Sequence, residues 1–315
     1  MPCLKKVKLL ILLVFVVVFS ACSKNKKNKQ TCFLSENYTH FPYRINQPSR
    51  TYILSKELRE ISGLTYKGDH KLLCINDEQG YVFEYDIQKR KITQRIKFAK
   101  KGDFEAVEMM DNKVVALRSD GKLYFINDMS HSKSESIKVK TGLGSKNDTE
   151  GLAYDASNQT LLIACKGLAH KDSSYMDKRA IYRYSIKDSS LSKYPDILID
   201  QGELETILNL DAYTKFSNKL LKGINPSKGN LTFQPSAIAI HPISRNIYVL
   251  GSVGKLLLVL NPQGELLAVN RLKRKIFPQP EGICFTPDGT LFISTEGKMM
   301  SGKIYQFDYK PVLKN

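Results

Sequence analysis

Short apolar runs, cut by clusters of Gly, Pro, Asn, Asp and Lys, recur along this chain from residue 50 onward. Runs such as Leu72-Leu73-Cys74-Ile75 and Leu162-Ile163-Ala164-Cys165 are too short for amphipathic helices. They are bounded by turn signals such as Lys67-Gly68-Asp69, Asn261-Pro262-Gln263-Gly264 and Thr286-Pro287-Asp288-Gly289, so they predict strands. Five of the units begin alike, with an oxygen-bearing side chain, a small residue and an aliphatic: Ser62-Gly63-Leu64, Glu105-Ala106-Val107, Glu150-Gly151-Leu152, Ser236-Ala237-Ile238 and Glu281-Gly282-Ile283. Their spacings are 43, 45, 86 and 45 residues. A period in the forties belongs to a propeller blade or a helical-array unit. Three or four strands per unit decide for the propeller, whose innermost strands line a central channel.

The first unit shows the pattern: Ile61 to Tyr66, Lys71 to Asn76, Tyr81 to Asp86 and Ile92 to Phe98 are separated by turn residues. The final unit lacks an outer strand, while Arg50-Thr51-Tyr52-Ile53-Leu54-Ser55 precedes the first unit without a blade of its own. A propeller closes to remove its sheet edges, so this N-terminal strand is expected to complete the last blade. The 86-residue gap between Glu150 and Ser236 equals two periods and leaves room for a sixth blade. No oxygen-small-aliphatic start appears near Tyr194-Pro195-Asp196, however, and the surplus reads as a polar loop from Lys166 to Arg179 and a stretch from Gly202 to Gly229. In that stretch Leu204, Ile207, Leu208 and Phe216 suit a short helix. The fold class is therefore all-β, a five-bladed β-propeller, with six blades as the alternative.

The first fifty residues are different. Lys5, Lys6 and Lys8 precede an eleven-residue apolar run from Leu9 to Phe19, followed by Ser20-Ala21-Cys22. That run is short for a bilayer span and is flanked as a secretion signal is. The site resembles the lipobox of bacterial lipoproteins, with Phe19 where a Leu is usual, and this implies lipidation of Cys22. The expected organisation is a signal peptide over residues 1–21, a lipidated Cys22 with a flexible basic tether over 22–48, and the propeller over 49–315. The protein is then expected as a monomer anchored by lipid in the bacterial cell envelope. Its partners are the membrane and an envelope ligand or protein.

Charge adds little to this. Of the net +17, seven charges are lysines of the first thirty residues, which read either as a run attracted to an anionic membrane surface or as a solvated run with no partner. No aromatic-basic module for nucleic acid is present, so nucleic acid is not expected as a partner. Of the six cysteines, Cys32 falls in the linker, and Cys74, Cys165 and Cys284 fall inside apolar strand runs, where thiols act as small hydrophobes. No pair has the spacing of metal ligands.

The five starts in register, with Asn147-Asp148-Thr149-Glu150-Gly151-Leu152-Ala153-Tyr154 and Gln279-Pro280-Glu281-Gly282-Ile283, resemble the SdiA-regulated protein family, distantly related to NHL-repeat proteins. The resemblance implies a five-bladed propeller with a calcium site and no established activity. The residues support a cation independently. Glu105, Glu150 and Glu281 at one depth of a narrow channel disfavour one another's charged form, so either protons stay bound or a cation sits among them. Carboxylate oxygens suit Ca²⁺, with Ser62 and Ser236 as hydroxyl ligands or holders of water, and none of the five histidines takes a ring position. Asp77, Glu78, Asp120 and Glu296 can rim the same mouth or act as turn residues, Asp103 and Asp148 can orient the ring, and His241 reads as a turn residue. A hydrated acidic mouth without metal remains open. Two functions follow: a ligand- or partner-binding module, or a calcium-dependent hydrolase of lactones or phosphoesters, which would also need a general base that the register does not supply.

Overall fold

The computed structural model describes residues 31–213 and 233–311. The expected signal segment, Cys22, the lysine-rich run up to Gln30 and Phe216 lie outside these residues. Two short strands come first, β1 (Thr31–Leu34) and β2 (Arg50–Ile53). Blade one then follows as β3 (Ile61–Gly68), β4 (Lys71–Asn76), β5 (Tyr81–Asp86) and β6 (Lys91–Lys97). Blade two has β7 (Phe104–Met110), β8 (Lys113–Arg118), β9 (Lys122–Ile126) and β10 (Ser136–Lys140). In blade three, β11 (Thr149–Asp155), β12 (Thr160–Cys165) and β13 (Lys178–Ser185) are followed by a broken outer strand. Its pieces, β14 (Ser190–Leu191) and β15 (Ile197–Asp200), both pair with β13.

Helix α1 (Gln201–Tyr213) comes next, and its Leu204 and Leu208 are buried, as their spacing predicts. Blade four is β16 (Gln234–Ile240), β17 (Ile247–Val253), β18 (Leu256–Leu260) and β19 (Leu266–Arg271). Blade five is β20 (Pro280–Phe285), β21 (Leu291–Thr295) and β22 (Lys303–Phe307). The pairings between these strands are antiparallel, each blade being a meander completed in blades four and five by an N-terminal strand, and the inner strands meet in the closed cycle β3, β7, β11, β16, β20 and back to β3. The chain is a five-bladed propeller. Among the described residues, the long gap holds the loop, the broken strand and the helix, and no sixth blade.

Ring closure is as expected: β2 is the outer strand of the last blade, with Arg50 opposite Gln306 and Ile53 opposite Lys303. One strand was not expected. The Thr31–Leu34 strand lies within the stretch read as tether over 22–48, yet it adds a fifth strand to blade four by pairing with β19. Behind it Phe41, Tyr43 and Ile45 are buried against blades four and five. The folded unit thus includes Thr31–Leu34 and Phe41, Tyr43 and Ile45, which lie before the expected boundary at residue 49 and cover an otherwise open sheet edge.

Stability sits between blades. Each of five apolar clusters joins two consecutive blades. One is built by Leu73, Ile75 and Val82 of blade one with Val107, Val114 and Ala116 of blade two, and the others repeat this around the ring. Second and third strands are therefore apolar on both faces, as in the fully buried Leu256–Leu260, whereas the outer strand Lys91–Lys97 alternates. Cys74, Cys165 and Cys284 are buried free thiols, and burial pushes their ionisation up.

Candidate functional site

The sequence repeat acquires a structural cause at the start of each inner strand. Ile61 pairs with Asn76 and Gly63 with Ile75, so Ser62 has no partner across the ladder. The same register shift isolates Glu105, Glu150, Ser236 and Glu281 in their own blades. All five ring residues occupy β-bulges, a device that re-aims a side chain where pairing is interrupted. Antiparallel alternation then places four kinds of position at this end of the channel: the starts of first and third strands and the ends of second and fourth strands.

The small residue after each bulge is needed because the next blade passes close by. A Cβ on Gly63 would meet Ala106 Cα at 2.9 Å and Glu105 O at 3.0 Å. The two serines tie neighbouring bulges together. Ser62 Oγ donates to Phe104 O at 2.7 Å, and Ser236 Oγ donates to Pro280 O at 2.8 Å, in each case the residue just before the next blade's glutamate.

The three glutamates share one electrostatic environment. Burial raises the Glu105 carboxyl above its ordinary range, and the charges of Glu150, Asp103 and Glu281 add to this; Asp103 also shares a hydrogen bond with it. Glu281 is pushed up to about 8 by burial first and by Glu150 second, with a hydrogen bond from Gln279 opposing. Burial also raises Glu150, but here a cation is already in place: Lys166 Nζ donates to Glu150 Oε1 at 2.5 Å and lies 3.7 Å from Asp148 Oδ2. Burial works against the Lys166 ammonium, yet Glu150 and Asp148 hold it protonated beyond the ordinary lysine range.

Lys255 is the second basic group at the mouth. Burial lowers it to about 8 against the pull of Glu281, and its Nζ donates to Ser252 O. Sequence reasoning missed both lysines. They stand in the connections between second and third strands, the same loops that suggested rim acids.

Those rim acids divide. Asp77 is pushed up to about 6 by burial and by Glu60, Glu296 and Glu78, and its Oδ1 has no hydrogen-bond partner. Glu296 is raised as well, by burial. Asp120 is instead held by a two-pronged bond from Arg118, at 2.8 and 2.5 Å, and by Lys122, so it is a paired turn residue. Asp148 shares Lys166 with Glu150. His241 lies at the other end of its inner strand, fully buried, its Nε2 2.8 Å from Tyr43 Oη, and burial lowers it to about 4. His170, on the mouth-side loop of blade three, is occupied between Tyr175 and Tyr194.

Raised carboxyls have a definite consequence for stability. The folded protein keeps a proton on Glu281 between its ordinary 4.5 and about 8, whereas the unfolded chain releases it. Stability contributed by this group is therefore complete below pH 4.5 and is lost as pH rises toward 8. In the absence of divalent cations the melting temperature should fall steadily across that window, and Glu281→Gln should flatten the fall. Melting curves taken at successive pH values check this; parallel profiles for the two proteins would show that Glu281 ionises normally.

The donor chemistry of the mouth, three carboxylates with bulge hydroxyls beside them, suits a hard cation such as Ca²⁺. As the side chains stand, no three His, Cys, Asp or Glu groups among the described residues converge to hold a metal. Seating one requires Lys166 to leave Glu150 and the glutamates to rearrange. Lys166 is about one-third exposed and flexible, which permits this.

Residues 43–167 match the model of the SdiA-regulated family. This match and the five blades agree with the resemblance seen in the sequence. No curated protein matches the chain. Among solved structures, the glutaminyl cyclase of Myxococcus xanthus is similar at a TM-score of 0.54 and 11% identity, with 84% of this chain and 96% of that one covered. A luciferin-regenerating enzyme is similar at 0.48 and 11% identity, covering 85% of this chain and 96% of that one. At such identity the likeness concerns the fold, not the activity.

Proposed function

We propose that this protein is a binding module: a propeller held in the cell envelope through a lipidated Cys22, whose channel mouth takes Ca²⁺ in competition with the Lys166 ammonium. The observation that carries the reading is the placement of three glutamates on bulges at one level. Burial and mutual repulsion keep their ionisation suppressed, and Glu150 is already neutralised by a cationic side chain. Glu105, Glu150 and Glu281 would be the carboxylate ligands. Ser62 and Ser236, whose hydroxyl protons are committed to carbonyls, mainly hold the bulges in place. Bound there, Ca²⁺ would supply a positive centre for an anionic or carbonyl group of a ligand. The hydrolase alternative gains no histidine base from the geometry, since the mouth-side His170 is packed between two tyrosines and His241 lies at the far end of its strand.

Calorimetry on the demetallated protein tests the reading. Calcium at a hundredfold excess over its dissociation constant should stabilise the fold by about 2.7 kcal/mol. Glu150→Gln should weaken this response, while Lys166→Met should tighten calcium binding by freeing Glu150 of its competitor. Absence of binding heat and of any melting shift in both the native protein and Lys166→Met would leave a channel mouth balanced by protons and lysine alone.

A further inference from the structure

The end of the propeller that carries the glutamate ring differs from the opposite end in what it shows to solvent. Ten large apolar side chains stand exposed among the described residues. Six of them, Ile53, Leu168, Met176, Val253, Met299 and Met300, lie at the mouth end, and only Ile243 lies in a connection at the other end. Met299 is 100% exposed and Met300 70%, both at the tip of the loop between β21 and β22. Met176 and Leu168 occupy the corresponding loop of blade three. Apolar groups scattered singly need no explanation, but their concentration on one end does.

Exposed basic groups stand at both ends, since Lys89, Arg90, Lys187 and Lys310 are exposed at the far end, so it is the apolar tips that set the mouth end apart. Connections that lead into the inner strands of blades one, two, three and five carry exposed Lys56, Lys100, Lys101, Lys146, Arg274 and Lys275. The mouth is thus an acidic centre inside a basic rim, with apolar tips projecting beyond it. Exposed lysines beside methionine tips suit a surface with anionic head groups over hydrocarbon.

The course of the N-terminal strand selects that surface. Thr31 is opposite Asn270, near the end of β19, and Leu34 is opposite Ala268, so β1 starts at the mouth end and runs away from it. Residues 22–30, nine in number, separate Cys22 from the rest, or about 30 Å at full extension. Turning the opposite end toward a membrane would use about 20 Å of that length merely to pass the six residues of β19. An anchor at Cys22 would therefore bring the mouth end to a membrane with all of that length to spare, and the opposite end with only about 10 Å.

From these observations we infer that the mouth end is a docking face for an anionic lipid bilayer, with Met299, Met300, Met176 and Leu168 entering the interface and the basic rim resting on the head groups. The inference builds on the anchored reading above, and the two are separable by experiment. A chain begun at residue 22 with Cys22→Ser contains every blade strand and has no lipid. It should sediment with vesicles of phosphatidylcholine and phosphatidylglycerol and much less with phosphatidylcholine alone. Met299→Asp with Met300→Asp should weaken this by about tenfold or more. Lys100→Ala and Lys101→Ala should each lower it by about fivefold. Ile243→Asp, at the other end, should leave it unchanged. Failure to prefer the anionic vesicles, equal binding by the methionine variant, or equal weakening by Ile243→Asp would overturn the docking face. The anchor is judged independently, by the intact mass of the native protein taken from membranes: without a lipid adduct on Cys22 the anchored reading falls and the vesicle result stands.

Discussion

A chain that begins at Ser55 should fail to form a stable propeller, whereas one that begins at Thr31 should fold as the longer chain does. The shorter chain loses β1 and β2 and with them the buried Phe41, Tyr43, Ile45, Tyr52 and Leu54. Removal of one such side chain from a core costs about 2–5 kcal/mol. Five together come to about 10–25 kcal/mol, which matches or exceeds the whole stability of an ordinary domain, about 5–15 kcal/mol. The truncation also strips the outer edges of blades four and five, leaving β19 and β22 open to pair with other molecules. Tyr43 adds a fixed point of its own, donating to Gly289 O at 2.6 Å from within the seam between those blades. Size-exclusion chromatography and thermal melts of the two chains decide the matter. A monomeric Ser55 chain melting within a few degrees of the Thr31 chain would show that neither strand is needed for closure.

The second large effect concerns the small residue after the bulge. Gly63→Val should lower the melting temperature markedly, because even a single methyl there would stand 2.9 Å from Ala106 Cα and 3.0 Å from Glu105 O, both backbone atoms of the next blade. Overpacking of this kind costs about 1–3 kcal/mol. For a domain of this size that corresponds to roughly 2–4 °C for each kcal/mol. The shift would also move Glu105, so calcium binding and stability should change together. Gly144→Ala is the control: a Cβ at that position would have nothing within 4 Å, and the variant should melt like the native protein. Equal melting temperatures for Gly63→Val and Gly144→Ala would mean that the inner strands can separate without cost.

Much of this architecture was legible because the bulge and its neighbour impose a residue pattern that repeats. An oxygen-bearing side chain, a small residue and an aliphatic mark the channel, the passing strand and the inter-blade core in turn, and five copies in register define five blades. The closing strand was legible too, since Arg50 to Ser55 had strand character and the last blade lacked an edge. By contrast, Thr31-Cys32-Phe33-Leu34 is four residues long and half-buried throughout, with no alternation to betray it. Only its distant partner β19 makes it a strand. The bulges themselves escaped notice because the unpaired residue looks like any other member of its strand.

The site was legible in part. Glu105, Glu150 and Glu281 do influence one another across the channel, and Asp103 and Asp148 lie beside them. Lys166 was not foreseen, because a lysine directly after a buried strand end reads as a solvated turn residue. Its role emerges only when folding sets its ammonium beside Glu150. Asp120 is one of the turn residues that the sequence allowed: a carboxylate in a mouth-side loop that Arg118 and Lys122 hold as part of an ordinary turn.

The two N-terminal strands also set an order of events during folding. Thr31 and Asn270 are 239 residues apart, and Tyr52 and Gln306 are 254 apart. Both contacts span most of the chain, and pairings of such sequence separation form slowly, since the loop entropy must be met before the contacts reward it. The first strands to be synthesised are thus held unpaired until the last blades exist. The ring stays open until β22 has been made, and a protein caught before then exposes two sheet edges and the aromatic side chains of Tyr43 and Tyr52.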